Sequence, residues 1–194
     1  MVERAWRSLR RAALIGALTV LVSGCAAYDW LFANTPAPSQ CPEVSVLPDA
    51  RDVIRFSPGV GRDISDVVIQ GEISDVAATC SPDINKKTQE GTVSQDLTLV
   101  IDVQRGVADR DRKGTFEYFV AVTDSSGNVL SREKFSVTVE FAGNRTRLRV
   151  TDEPVLLQVP LRAGKTGSDF KIFVGFQLTP EELDYNRRHG QRSP

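Results

Sequence analysis

The chain is poor in the residues that most chemistry needs. Its 194 residues include one histidine, His189, and three cysteines. A nucleophilic serine or cysteine needs a base within reach, and this lone imidazole lies near the C-terminus in a basic tail. There is no Cys-x-x-Cys, and one histidine with scattered cysteines makes no metal-ligand spacing. Basic and acidic residues nearly cancel, at 24 against 25, so no cationic field exists to attract nucleic acid. No apolar run reaches the roughly twenty residues of a membrane-spanning helix.

Fragments of known motifs also fall short. Gly164-Lys165-Thr166-Gly167 lacks the upstream glycine of a phosphate-binding loop. Asp124-Ser125-Ser126-Gly127-Asn128 lacks the later bidentate glutamate of a calcium loop, and reads as a hairpin turn. The carboxylate pairs Asp63/Asp66 and Asp109/Asp111 sit in charged, turn-like stretches. General acid–base work would need one of each pair in a low-dielectric pocket. Asn144-Arg145-Thr146 matches a glycosylation acceptor, a three-residue pattern that carries little weight by itself. The expectation is a non-enzyme with no catalytic residues, no cofactor and no metal.

What is present begins at the N-terminus. Arg4, Arg7, Arg10 and Arg11 precede an apolar run from Ala12 to Val22, and Ser23-Gly24 then lead into Cys25. A positive segment, a short apolar segment and small residues before a cysteine form the order of a lipoprotein signal peptide. Residues 1–24 therefore read as a cleaved leader, and Cys25 as the thiol that takes the lipid. Two or more acyl chains on that residue would hold the protein to a bilayer. Ala26, rather than an aspartate, follows the cysteine. That favours the outer membrane, facing the periplasm, over the inner one. Loss of the leader removes four arginines and one glutamate, leaving 20 basic and 24 acidic groups, a net charge near −4.

Residues 25–40 are polar and carry Pro36 and Pro38, and read as a tether. Tyr28, Trp30, Leu31 and Phe32 would sit at the headgroup level or against the domain. With Cys25 lipidated, Cys41 and Cys80 remain as an even pair in an oxidising compartment, and read as one disulfide.

From residue 41 to 194 the pattern has period two, the mark of half-buried strands. Val67, Ile69, Gly71 and Ile73 share a face, and Val76, Ala78 and Cys80 continue one residue out of phase. That slip predicts a bulge near Ser74-Asp75. Residues 81–91 and 106–114 read as a polar loop and an exposed charged turn. Val93 to Val103 reads as one long strand. Phe116, Tyr118, Val120 and Val122 face Phe135, Val137, Val139 and Phe141 across the Asp124–Asn128 turn. Thr179-Pro180-Glu181-Glu182 opens a short helix with a capping box. Seven to nine strands with no crossover helices predict an all-β fold. It would be an antiparallel, immunoglobulin- or fibronectin-like sandwich with a short C-terminal helix; a small barrel is the alternative.

The segments Cys41–Ala50, Gly61–Val67, Phe119–Asp124 and Val174–Leu183 resemble a family of small, functionally unassigned bacterial cell-envelope lipoproteins. The resemblance covers most of the chain after the leader. It implies a lipid anchor and an extracytoplasmic β domain, and it carries over one functional residue, Cys25. Two surface features stand out. Arg145, Arg147 and Arg149 project from one strand face, either guarding an edge strand or meeting anionic headgroups or an acidic partner. Phe119 and Phe173 are out of phase with their strands. They are covered by Leu183 and Tyr185 of the helix, or form an apolar patch for a protein partner. Two roles follow: binding another envelope component, most plainly a protein, or holding a small apolar or lipid ligand between the sheets. Replacing Cys25 with Ser is expected to move the protein from the membrane fraction to the soluble one on fractionation.

Overall fold

The computed structural model describes residues 40–59 and 61–189. The leader, Cys25 and all of the tether before Gln40, including its aromatic residues, lie outside the described residues. Nine strands form two sheets: β1 (Glu43–Val46), β2 (Asp52–Phe56), β3 (Val67–Ile84), β4 (Gly91–Arg105), β5 (Lys113–Asp124), β6 (Val129–Glu140), β7 (Arg147–Thr151), β8 (Val155–Leu161) and β9 (Phe170–Phe176). One α-helix, α1 (Pro180–His189), closes the described chain. One sheet runs β1-β9-β5-β6. The other runs β2-β3-β4-β7, with β8 also on β4. The fold is an all-β sandwich, not a closed barrel.

Each sheet turns its apolar positions inward, as the alternation dictates. The inner row of β4 is Val93, Gln95, Leu97, Leu99, Ile101 and Val103, all buried. It packs in one core with Phe116, Tyr118, Val120 and Val122 of β5 and Ile172, Val174 and Phe176 of β9. The Phe116 and Phe176 rings meet at 5.7 Å between centroids. Gly71 of β3 makes room for them, since a Cβ there would stand 3.1 Å from Phe116 and 3.4 Å from Phe176. The Tyr118 hydroxyl donates to Asp152 Oδ2 at 2.7 Å. Asp152 lies between β7 and β8, which share one edge of β4 end to end. The bond therefore joins the two sheets at that handover. Burial, and then the Asp152 carboxylate, push the Tyr118 hydroxyl far above its ordinary range.

Several expectations hold in detail. Ser74 is the bulge: Ile73 pairs with Ile101 and Asp75 with Val100, leaving Ser74 unpaired. Its hydroxyl donates to Val100 O at 3.2 Å. The capping box of α1 is complete, with Thr179 N donating to Glu182 Oε2 at 2.7 Å and Glu182 N to Thr179 Oγ1 at 3.2 Å. Asp124 takes the amides of Ser126 and Asn128, each at 2.9 Å, so that stretch is a hairpin turn.

Three expectations need correction. Residues 81–84 are strand, because β3 stays paired with β4 as far as Ile84–Gly91. Pro82 is tolerated there because β2 pairs with β3 only up to Glu72, which leaves one side of the strand without that neighbour. The 106–114 turn is not wholly exposed. Asp109 is only 7% exposed, accepts Arg105 Nε at 2.6 Å and takes the amides of Asp111 and Arg112. Its carboxylate organises the loop from inside. Finally, β1 and β9 pair in parallel. No crossover helix is needed, because almost the whole domain connects them.

Cys41 and Cys80 form a disulfide with Cα atoms 6.1 Å apart. Cys41 stands just before β1 in one sheet and Cys80 is in β3 of the other, so the bond ties the sheets. It closes a loop of 39 residues. Replacing both cysteines with serine is expected to lower the unfolding free energy by about 3–4 kcal/mol. A reduced denaturant midpoint with an unchanged slope would show it.

Candidate functional site

The outer face of the second sheet carries a cleft of about 1010 Å³. Its floor is made of outward positions brought into register from four strands. One cross-strand row is Ile54, Gln70, Gln104 and Arg147. The next is Asp52, Glu72, Asp102 and Arg149. Both rows line the cleft. One wall is the C-terminal half of α1, with Tyr185, Asn186, Arg187 and His189, beside the 3-10 turn Pro48–Ala50.

The wall is well fastened. Asn186 Nδ2 donates to the carbonyls of Asp49 and Asp52, at 3.0 and 2.7 Å. Arg187 Nε donates to Asp49 Oδ2 at 2.9 Å. The Tyr185 ring meets Phe56 edge-on at 5.3 Å and stacks on His189 at 4.1 Å. At the base of the helix, Arg55 donates to Glu182 at 3.3 Å and to the Thr115 carbonyl at 2.5 Å, joining α1, β2 and β5.

Charge on the floor is only partly matched. Arg149 grips Asp102 with two bonds, at 2.7 and 2.6 Å. The Arg149 hydrogen bond is the main reason the Asp102 carboxyl sits below its ordinary range. Asp52 and Glu72 face each other directly, and neither carboxylate has a hydrogen bond or ion pair among the described residues. Like charges directly opposite on a sheet destabilise it. The Asp52 carboxyl is pushed up, first by desolvation and then by Glu72, with Arg51 opposing. Arg147, at the other rim, likewise has no ion pair among the described residues.

The residues singled out in the sequence have separate fates. Arg147 and Arg149 lie on the edge strand β7 and face the cleft, while Arg145 precedes that strand. Phe119 is only 9% exposed, so it offers no apolar patch. Arg132 covers its ring at 4.3 Å and donates to Gln177 at 2.7 Å. Gly175, its partner across β9, brings Ala50 close. Phe173 is half-buried in the same sheet. The Tyr185 ring goes to Phe56, because α1 packs on β2 and on the Pro48–Ala50 turn. His189 rests on Tyr185 and, among the described residues, makes no pair with a nucleophile. Asp63 and Asp66 cap their own 3-10 turn. Among the described residues no group of three or more His, Cys, Asp or Glu is placed to hold a metal ion.

The Asp52–Glu72–Asp102 row has no local signal. Its members are far apart in the chain and meet only through strand register. No protein-family model, curated protein or solved structure matches this chain. Replacing Glu72 with Gln is expected to bring the Asp52 titration down toward the ordinary range, with desolvation still holding it above. A raised carboxyl costs stability when ionised, a cost present above its folded pKa and lost below it. The variant should therefore be more stable at neutral pH and converge with the parent in acid. Carboxyl-carbon NMR titration and denaturant unfolding would measure the two effects.

Proposed function

We propose that this chain is a lipid-anchored protein of the bacterial cell envelope and that its sandwich is a non-catalytic binding module. Residues 1–24 are its leader and acylated Cys25 holds it to the outer membrane, facing the periplasm. Residues 25–40 tether a domain spanning 41–194 that engages another envelope component, a protein. The order of basic, apolar and small residues before Cys25 supports the anchor. A disulfide between Cys41 and Cys80 is consistent with an oxidising compartment.

One observation carries the binding role: a roomy cleft, walled by a pinned helix, whose floor keeps the side chains of Asp52, Glu72 and Arg147 free of hydrogen bonds and ion pairs among the described residues. Complementary charge across an interface steers a partner and fixes its register. The interior between the sheets is filled by the aromatic and aliphatic rows of β4, β5 and β9, which leaves the lipid-ligand alternative without a supporting observation. Acylated protein isolated from gently solubilised envelopes is expected to bring down a specific envelope protein. Recovery of nothing above the level seen with unrelated lipoproteins would count against the role.

A further inference from the structure

The geometry points to one class of occupant for this cleft: an extended peptide segment with a basic side chain and, four residues away, an acidic one. This rests on the binding role proposed above and adds its chemistry.

Two charge centres of opposite sign on the floor have no hydrogen bond or ion pair among the described residues, though Arg51 partly offsets the negative one. Asp52 and Glu72 form the negative one on β2 and β3, and Arg147 the positive one on β7. Glu72 and Arg147 are separated by two strand spacings and one step of two residues along the strand. That amounts to roughly 12 Å from a strand spacing of about 4.8 Å and a rise of about 3.4 Å per residue. Four residues of extended chain span about 13 Å and bring both side chains to one face. Gln104 on β4 lies between the two centres and Gln70 stands beside Glu72 on β3, with amides that can both donate and accept. They suit the main chain of such a segment. A simple cation would satisfy one centre and leave Arg147 unmatched, and a simple anion would do the reverse. The neighbouring charges are already occupied: Asp102 by Arg149 and Asp49 by Arg187.

The first probe is a capped synthetic peptide, Lys-Ser-Thr-Ser-Glu, titrated into the full chain carrying Cys25→Ser and followed by amide NMR. Shifts should concentrate at Gln70, Glu72, Asp102 and Gln104. Affinity should fall at least tenfold with the lysine replaced by serine, with lysine and glutamate made adjacent, or in the Asp52→Asn/Glu72→Gln variant. Shifts that are absent, scattered, or equal for the peptide without lysine overturn the assignment.

A second measurement uses the acylated chain in envelopes, with a photo-crosslinking residue at Gln104 or at Ser136, which is exposed on the other sheet. Crosslinking from Gln104 that disappears in Asp52→Asn/Glu72→Gln supports the cleft. A partner caught only from Ser136 overturns the cleft assignment and leaves the binding role standing. Capture from neither position removes both.

Discussion

The structure depends on two rows of side chains closing on each other. The inner positions of β4 meet those of β5 and β9, and the core between them admits almost nothing polar. Gln95 of β4 and Tyr118 of β5 are the polar side chains in it, and Tyr118 is the one that reaches across to the other sheet. A buried phenol needs a partner, and it finds one in Asp152, at the point where β7 gives way to β8 along β4. That bond ties the first sheet to the point where the edge of the second changes strand. The ladder between β4 and β7 then sets Arg149 beside Asp102 and Arg147 beside Gln104 on the outer face.

The arginine row on β7 shows how much neighbours decide. Spacing alone makes Arg145, Arg147 and Arg149 equivalent. Arg149 is spent on Asp102, a partner 47 positions away. Arg145 falls before the strand and outside the cleft. Only Arg147 both faces the cleft and keeps its charge unmatched among the described residues. Phe119 makes the same point for apolar residues. It is out of phase with the core and still buried, because Arg132 lies across it and the Ala50 turn comes up beside Gly175.

Local rules were legible in the sequence. Alternation located the strands, a phase slip located the bulge at Ser74, and Thr179 with Glu182 announced the helix. Cysteine parity gave the disulfide. Rules that need a distant partner were not legible. The polar stretch 81–84 looks like loop, yet the register with β4 carries β3 through it. Asp109 looks solvated in a run of charges, yet Arg105 and two backbone amides draw it inside. The parallel seat of β1 on β9 joins opposite ends of the domain, beyond any local pattern. The cleft is the extreme case. Its floor is drawn from β2, β3, β4 and β7, and each of its side chains reads singly as an ordinary exposed polar residue.

The disulfide has a mechanical consequence. β1 is short, four residues in parallel register with β9, and a tug on the N-terminal end of the domain would peel it first. Cys41 stands ahead of β1, and its bond hands the load to β3, an eighteen-residue strand of the other sheet. Gly167, packed too closely against the Gln40 backbone to admit a side chain, steadies the same entry point. Any tension arriving through residue 40 would thus be shared between both layers.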